Sequence, residues 1–118
     1  MDHIVRDRLK DDMPIAEITP TDLKALLAGA APPLLIDVRE EGEAAVCSID
    51  GSTLMPMNTL PERLAEIPAG RQVALYCHHG SRSWMAAQWM ARNGYDALSL
   101  AGGIDRWAIE IEPGMNRY

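Results

Sequence analysis

The side chains best suited to chemistry lie together in one short polar segment, residues 77–83. Cys77 directly follows a compact apolar run, and Gly80 allows the backbone behind it to turn tightly. Backbone N–H groups that converge in such a turn form a cradle for anions, and a helix that starts there adds partial positive charge. Arg82 adds a full charge and a fork that can hold an oxyanion through two hydrogen bonds. A thiol surrounded by these positive charges and N–H groups is expected to ionise easily and to act as a nucleophile.

Two other interpretations of this segment stay open. Cys77 could be an inert core thiol, because free cysteines are often buried, although its neighbours are small or polar. His78 and His79 could bind a metal, but zinc needs three or four ligands, and the other candidates, His3 and Cys47, have no motif around them. We therefore predict no metal and no organic cofactor, and expect the two histidines to line the pocket mouth unless they are merely exposed. The residues predicted to bind substrate are His78, His79, Gly80, Ser81 and Ser83.

Alternating strand and helix patterns surround this segment. Residues 72–76 form the clearest strand, so that Cys77 stands at its carboxyl end, and residues 84–93 show helical spacing up to Gly94. The other predicted strands are 15–18, 34–38, 53–57 and 95–100, and the other predicted helices run from Pro20 to Gly29, over 40–46, 58–67 and 104–109. This order predicts an α/β fold with a mainly parallel sheet and helices on both faces. Ligands of such sheets bind at the carboxyl ends of the strands, which is where Cys77 is expected.

Length and composition restrict the remaining possibilities. The chain has 118 residues, which suits one domain, predicted over 15–118, after a polar N-terminal arm, 1–14. The net charge of −6 argues against general binding to nucleic acids or anionic membranes, although a local pocket can still accept a small anion. No apolar run could span a bilayer and residues 1–13 lack the apolar core of a signal peptide, so we expect a cytoplasmic location. Two cysteines are too few for a disulfide framework and are expected to be free thiols, while the oligomeric state is left open.

The chain closely resembles a single-domain rhodanese, a family of sulfurtransferases, over nearly its whole length from residue 15. The segments that resemble the family are 35–40 (LIDVRE), 49–52 (IDGS), 76–83 (YCHHGSRS), 94–95 (GY) and 102–105 (GGID), with Trp107. The resemblance implies a five-stranded sheet, Cys77 as the nucleophile that accepts sulfur, and Arg82 as the arginine of the loop. It also implies that Asp37 and Arg39 belong to the family signature, and we expect them to brace the strand ends rather than to touch substrate.

Loop length bears on the reaction. The loop from Cys77 to Arg82 spans six residues, as in members of the family that transfer sulfur. The related cell-cycle phosphatases have a loop one residue longer, with arginine where this chain has Ser83. The resemblance therefore implies transfer of a sulfane sulfur, from a donor such as thiosulfate to a thiophilic acceptor, through a persulfide on Cys77.

Three alternatives accompany this prediction. The domain could be a relay or binding module that acts only with a protein partner, whose thiol would be the acceptor. Phosphatase or arsenate-reductase chemistry is the less favoured alternative. Cys47, at a position where many rhodaneses have histidine, could approach Cys77 as a resolving thiol or could simply fill a small buried site.

Overall fold

A five-stranded parallel sheet forms the centre of the molecule. The computed structural model describes residues 17–118. The strands are β1 (Glu17–Ile18), β2 (Leu34–Asp37), β3 (Thr53–Leu54), β4 (Val73–Tyr76) and β5 (Ala97–Leu100). They lie in the order β1-β5-β4-β2-β3, and every pairing is parallel. The predicted arm, 1–14, and the predicted start of the first strand at residue 15 lie outside the described residues, so the domain boundary there stays a prediction.

Among residues 17–118, four helices connect the strands and a fifth follows β5. They are α1 (Pro20–Leu27), α2 (Glu41–Val46), α3 (Leu60–Arg63), α4 (Ser81–Arg92) and α5 (Gly103–Glu110), with 3₁₀ turns at Met57–Thr59 and Leu64–Glu66 on either side of α3. The prediction of one helix over 58–67 is wrong in this detail, because Pro61 lacks the N–H that would bond to the carbonyl four residues before it. The α4 helix starts at Ser81, three residues earlier than predicted, so Ser81 and Arg82 form its first turn.

Two apolar clusters cover the two faces of the sheet. On one face, Val73 and Leu75 of β4 pack with Leu60 of α3 and with Ala87 and Met90 of α4. On the other face, Ala74 and Tyr76 pack with residues of α1 and α5, namely Leu23, Ile104 and Trp107. Alternate residues of β4 therefore serve opposite faces, as the period of a strand requires. The predicted α/β architecture with helices on both faces is confirmed, and so is the core position of Trp107, which is 4% exposed.

The five strands are short, and β4 lies at the middle of the sheet between β5 and β2. The four residues of β4 are completely buried, so the strand is fixed on both faces and along both edges. A residue that directly follows β4 is thus attached to the most rigid element of the fold. Within residues 17–118, none of the helices combines the length and the apolar character that crossing a membrane would take.

Candidate active site

Cys77 lies where β4 ends and the backbone turns towards α4. Its side chain is buried, and its Sγ accepts hydrogen bonds from the backbone N–H of Gly80, at 3.1 Å, and of Ser83, at 3.4 Å. The second donor, Ser83, already belongs to the first turn of α4. The N–H groups of Ser81 and Arg82 lie in the first turn of α4, where no carbonyl of the same helix can accept from them. These two N–H groups are therefore not used by the helix itself.

Two glycines allow this loop to form. Gly80 has φ +109°, a conformation that side chains disfavour, and it brings the chain into the first turn of α4. Gly103, at the start of α5, has φ +63°, and a Cβ there would collide with the backbone carbonyls of Cys77 and His78. In the absence of that Cβ, Ile104 N donates to the carbonyl of Cys77 at 2.8 Å. The start of α5 thus supports the loop. This role could not be predicted locally, because α5 is far from Cys77 in the sequence.

Ser83 lies beneath the sulfur and has no exposed surface. Its Oγ is 3.6 Å from the Sγ of Cys77, 3.2 Å from the carbonyl of Gly80 and 2.8 Å from the Oγ of Ser99 in β5. The Ser83 side chain is thus held among protein groups, and its backbone N–H contacts Cys77 Sγ; that Ser83 binds substrate stays a prediction. Gly80 is also buried and acts through its N–H, whereas Ser81 is exposed at the rim. Sequence reasoning missed Ser99, which no local motif marks.

Arg82 pairs with a carboxylate in the structure. The prediction directs its fork to a substrate oxyanion, but Nη1 and Nη2 donate to the two carboxylate oxygens of Glu43 in α2, at 2.7 and 2.8 Å. These hydrogen bonds lower the pKa of Glu43 to about 2 and raise the pKa of Arg82. Both groups are therefore charged at neutral pH.

Glu43 is a site residue that sequence reasoning missed. Glu40 and Glu41 at the start of α2 are exposed, whereas Glu43 is partly buried. Glu43 Oε2 accepts from the backbone N–H of Glu40 at 3.0 Å, and Oε1 accepts from the hydroxyl of Tyr118 at 3.0 Å. The three-residue spacing of Glu40 and Glu43 is the one local signal that could have indicated a fixed side chain.

Arg39 and Asp37 form a buried pair beside the site. Arg39 Nε and Nη2 donate to Asp37 at 2.9 and 2.7 Å, and neither side chain has more than 1% of its surface exposed. Nη2 also donates to the carbonyl of Cys47 at 2.7 Å, and Nη1 to the hydroxyl of Tyr118 at 2.9 Å. The guanidinium thus connects the end of β2 to the end of α2. Both residues lie at the positions expected of braces, away from the mouth of the loop.

The segment after α5 contacts the outer side of the loop. The ring of Tyr118 stacks on that of His78, with centroids 3.9 Å apart, and its hydroxyl connects Arg39 to Glu43. Arg117 donates to Asp105 at 2.8 and 3.2 Å. Sequence reasoning treats 113–118 as a tail without a role, and nothing in its local pattern indicates these contacts.

The two histidines differ in exposure. His78 lies half-buried between His79 and Tyr118, and burial, with the neighbouring His79, lowers its pKa. It is therefore neutral at pH 7 and brings no charge to attract an anion. Its Nε2 is buried without a hydrogen-bond partner within the described residues. His79 is exposed, and its Nε2 is 3.9 Å from Asp105.

His78, His79 and Asp105 could offer ligand atoms within 4.8 Å of one another. The rings of the two histidines stack face to face at 3.8 Å, which does not direct their nitrogens to one point, and Asp105 is already paired with Arg117. We therefore assign no metal to these three residues.

An open cleft of about 490 Å³ lies beside the loop. Its walls include His79, Gly80, Ser81 and the half-buried Trp84. Trp84 thus lies beside the loop, and Met85 continues the wall along α4. A ligand of moderate size could thus approach the loop from the α4 side.

Cys47 packs on the face of the sheet opposite to Cys77. Cys77 belongs to the apolar cluster of α3 and α4, whereas Cys47 contacts the cluster of α1 and α5. The Sγ of Cys47 is 4.0 Å from Arg39 Nη1, and both cysteines are free thiols. This arrangement favours the prediction of a small buried site over that of a resolving thiol.

The family model of the rhodanese-like domain matches residues 19–110, which include the loop and every strand after β1. The chain belongs to the rhodanese-like domain family. Its identity to a sulfurtransferase of Allochromatium vinosum is 38%, over 80% of this chain and 89% of that protein. The crystal structure of a rhodanese-like domain protein from Staphylococcus aureus superposes with a TM-score of 0.76 at 29% identity, over 88% of this chain and 99% of that one.

The rhodanese-like domain also occurs within a longer relative. The chain is 38% identical to a part of the probable adenylyltransferase/sulfurtransferase MoeZ of Mycobacterium tuberculosis, over 86% of this chain but 26% of that protein. The similarity thus concerns the domain, and the further activity in the name of MoeZ belongs to that protein. The relatives named sulfurtransferases support a transferase, and the family resemblance inferred from the sequence is confirmed.

Proposed function

We propose that this rhodanese-like domain is a sulfurtransferase that carries sulfane sulfur as a persulfide on Cys77. The arrangement around Sγ carries this proposal, because a buried sulfur at a strand end accepts hydrogen bonds from two backbone N–H groups of the loop. In a first step, the Cys77 thiolate attacks the outer sulfur of a donor such as thiosulfate, the sulfur–sulfur bond breaks, and sulfite leaves with the electron pair. In a second step, a thiophilic acceptor removes the outer sulfur.

The roles of the other residues follow from their positions. The N–H groups of Ser81 and Arg82 stabilise the terminal sulfur of the persulfide, and the Arg82 guanidinium eases the charge on the leaving group. The reaction requires no metal or organic cofactor in this proposal. The two free thiols suit a reducing compartment, so a cytoplasmic location is part of the proposal.

Intact-mass measurement tests the proposal directly. After incubation with thiosulfate, we expect the protein to gain the mass of one sulfur atom, and to lose it again when cyanide is added as the acceptor. Cys77→Ser should show neither adduct nor turnover, whereas Cys47→Ser, which removes the thiol on the opposite face, should retain both. An adduct in Cys77→Ser, or none in the wild type with any donor, would refute the mechanism.

A relay that serves one protein partner is the second candidate. The match to part of MoeZ favours it, because this type of domain occurs within a larger protein named for two activities. A relay should turn over thiosulfate poorly but exchange persulfide rapidly with the thiol of its partner. Comparing the rate of cyanide-dependent turnover with the rate of sulfur transfer to a protein thiol separates the two.

A further inference from the structure

Among residues 17–118, the arginines on the loop and beside it are matched by carboxylates. Arg82 pairs with Glu43, Arg39 with Asp37, and Arg117 with Asp105, all within 2.8 Å. His78, whose pKa is lowered, adds no charge at neutral pH. The mouth is therefore close to neutral within a chain whose net charge is −6. A dianion that approaches Cys77 meets no excess of positive charge.

Glu43 is held firmly in the position that neutralises Arg82. Its carboxylate accepts four hydrogen bonds: two from Arg82, one from the N–H of Glu40 and one from the hydroxyl of Tyr118. For Arg82 to bind a substrate oxyanion with both nitrogens, it would have to give up this bidentate pair. The charge of the guanidinium is thus largely offset by Glu43.

We propose that Glu43 determines which donors the site accepts, by disfavouring a dianionic sulfur donor relative to one with a single negative charge. This inference rests on the proposed persulfide chemistry and adds a specificity-determining residue to it. Glu43 does not touch the reacting sulfur and acts through Arg82. The substrate class that follows is a sulfane donor with at most one negative charge.

Two probes differ in charge but react in the same way. Thiosulfate is a dianion, and methanethiosulfonate is a monoanion in which a methyl group replaces one charged oxygen. In both, the Cys77 thiolate attacks the outer sulfur and the sulfur–sulfur bond breaks. The leaving group, sulfite or methanesulfinate, departs with the electron pair, and the same persulfide anion remains. No proton, oxidant or reductant is needed, so the ratio of kcat/KM for the two donors measures the preference for charge.

The test compares the wild type with Glu43→Gln and with Glu41→Gln. Glutamine at position 43 can still accept from Glu40 N but no longer neutralises Arg82. Glu41 is exposed on the same helix and, among residues 17–118, its side chain has no hydrogen-bond or ion-pair partner, so Glu41→Gln removes the same charge without releasing Arg82. We expect Glu43→Gln to raise the thiosulfate-to-methanethiosulfonate ratio about tenfold, and Glu41→Gln to change it less than about twofold.

The salt dependence of kcat/KM for thiosulfate provides a second measurement. With a neutral mouth, the wild-type kcat/KM for thiosulfate should not fall as salt rises from about 10 to about 200 mM. It should fall in Glu43→Gln, where a free guanidinium attracts the dianion. A steep fall in the wild type, or an equal ratio in the three proteins, would overturn the inference. If the wild type forms no adduct with either donor, the proposed function itself fails, so the two failures are distinguishable.

Discussion

Two arginine–carboxylate pairs with nearly the same geometry lie next to each other in this domain. In both pairs, two nitrogens of one arginine contact two oxygens of one carboxylate at 2.7 to 2.9 Å. The Arg39–Asp37 pair is buried, with exposures of 0 and 1%, whereas the Arg82–Glu43 pair is 37 and 23% exposed. The two pairs therefore have similar hydrogen-bond distances but differ in how far water can reach them.

This difference assigns the two pairs to different tasks. A buried charge left without its partner is very costly, so Arg39 and Asp37 must stay together for the fold to persist. A pair that water can reach contributes little to stability, so Arg82 and Glu43 can be changed without unfolding the domain. The hydroxyl of Tyr118 connects the two pairs. The inner pair, Arg39–Asp37, stabilises the fold, and the outer pair, Arg82–Glu43, adjusts the charge at the mouth of the loop.

The largest effect is expected from Arg39→Met. The substitution leaves Asp37 buried and unpaired, and we expect the free energy of unfolding in urea to fall by roughly 3–5 kcal/mol. The double variant Asp37→Leu, Arg39→Met should be less destabilised than Arg39→Met alone, because it removes the orphaned charge. A loss of less than about 1 kcal/mol in the single variant would contradict the contrast between the pairs.

The inner pair and the outer pair also differ in how well they could be predicted from the sequence. Asp37 and Arg39 are two residues apart at the end of a strand, and the family signature includes both, so their position beside the site could be predicted. Glu43 and Arg82 are separated by 39 positions, and their contact depends on how α2 packs against the loop. Local spacing contains no information on that packing.

The same reason explains the other successes and errors. The parallel sheet and the place of Cys77 follow from alternating local patterns, which the sequence contains. The support of the loop by Gly103, the contact of Ser83 with Ser99, and the position of Tyr118 are contacts between distant segments. The early start of α4 was missed because the polar residues Ser81 and Arg82 resemble a loop.

The second prediction concerns Arg82→Met, in the exposed pair. We expect its stability to change by less than about 1 kcal/mol. Its kcat/KM for thiosulfate should fall about 10²-fold, because Glu43 is then an uncompensated anion at the mouth and the leaving sulfite loses its cation. The control is Arg92→Met, which removes the same charge about 15 Å away along α4. If both variants lose activity equally, the effect is one of net charge and not of the pair.

The third prediction uses the pKa of Glu43, which Arg82 lowers from 4.5 to about 2. A carboxyl group with a lowered pKa stabilises the folded state above its unfolded value, and this stabilisation is lost as the pH falls from about 4.5 towards 2. Over that range, the free energy of unfolding of the wild type should fall by about 1 kcal/mol more than that of Glu43→Gln. The difference is modest because water reaches the pair. Urea unfolding at several pH values measures this, and parallel curves for the two proteins would show that the pair does not form in solution.

The smallest effect is expected from Tyr118→Phe, which tests the connection between the pairs. The substitution keeps the ring that stacks on His78 but removes the hydroxyl shared by Arg39 and Glu43. We expect the free energy of unfolding to fall by only about 0.5–1 kcal/mol, because Arg39 retains its hydrogen bonds to Asp37 and to the carbonyl of Cys47. The control is Tyr95→Phe, which removes a hydroxyl that donates to the carbonyl of Leu64, away from the site. Since Glu43 would keep both bonds to Arg82, the donor ratio should rise less in Tyr118→Phe than in Glu43→Gln. An equal rise would mean that Tyr118, and not the ion pair alone, holds Glu43 in place.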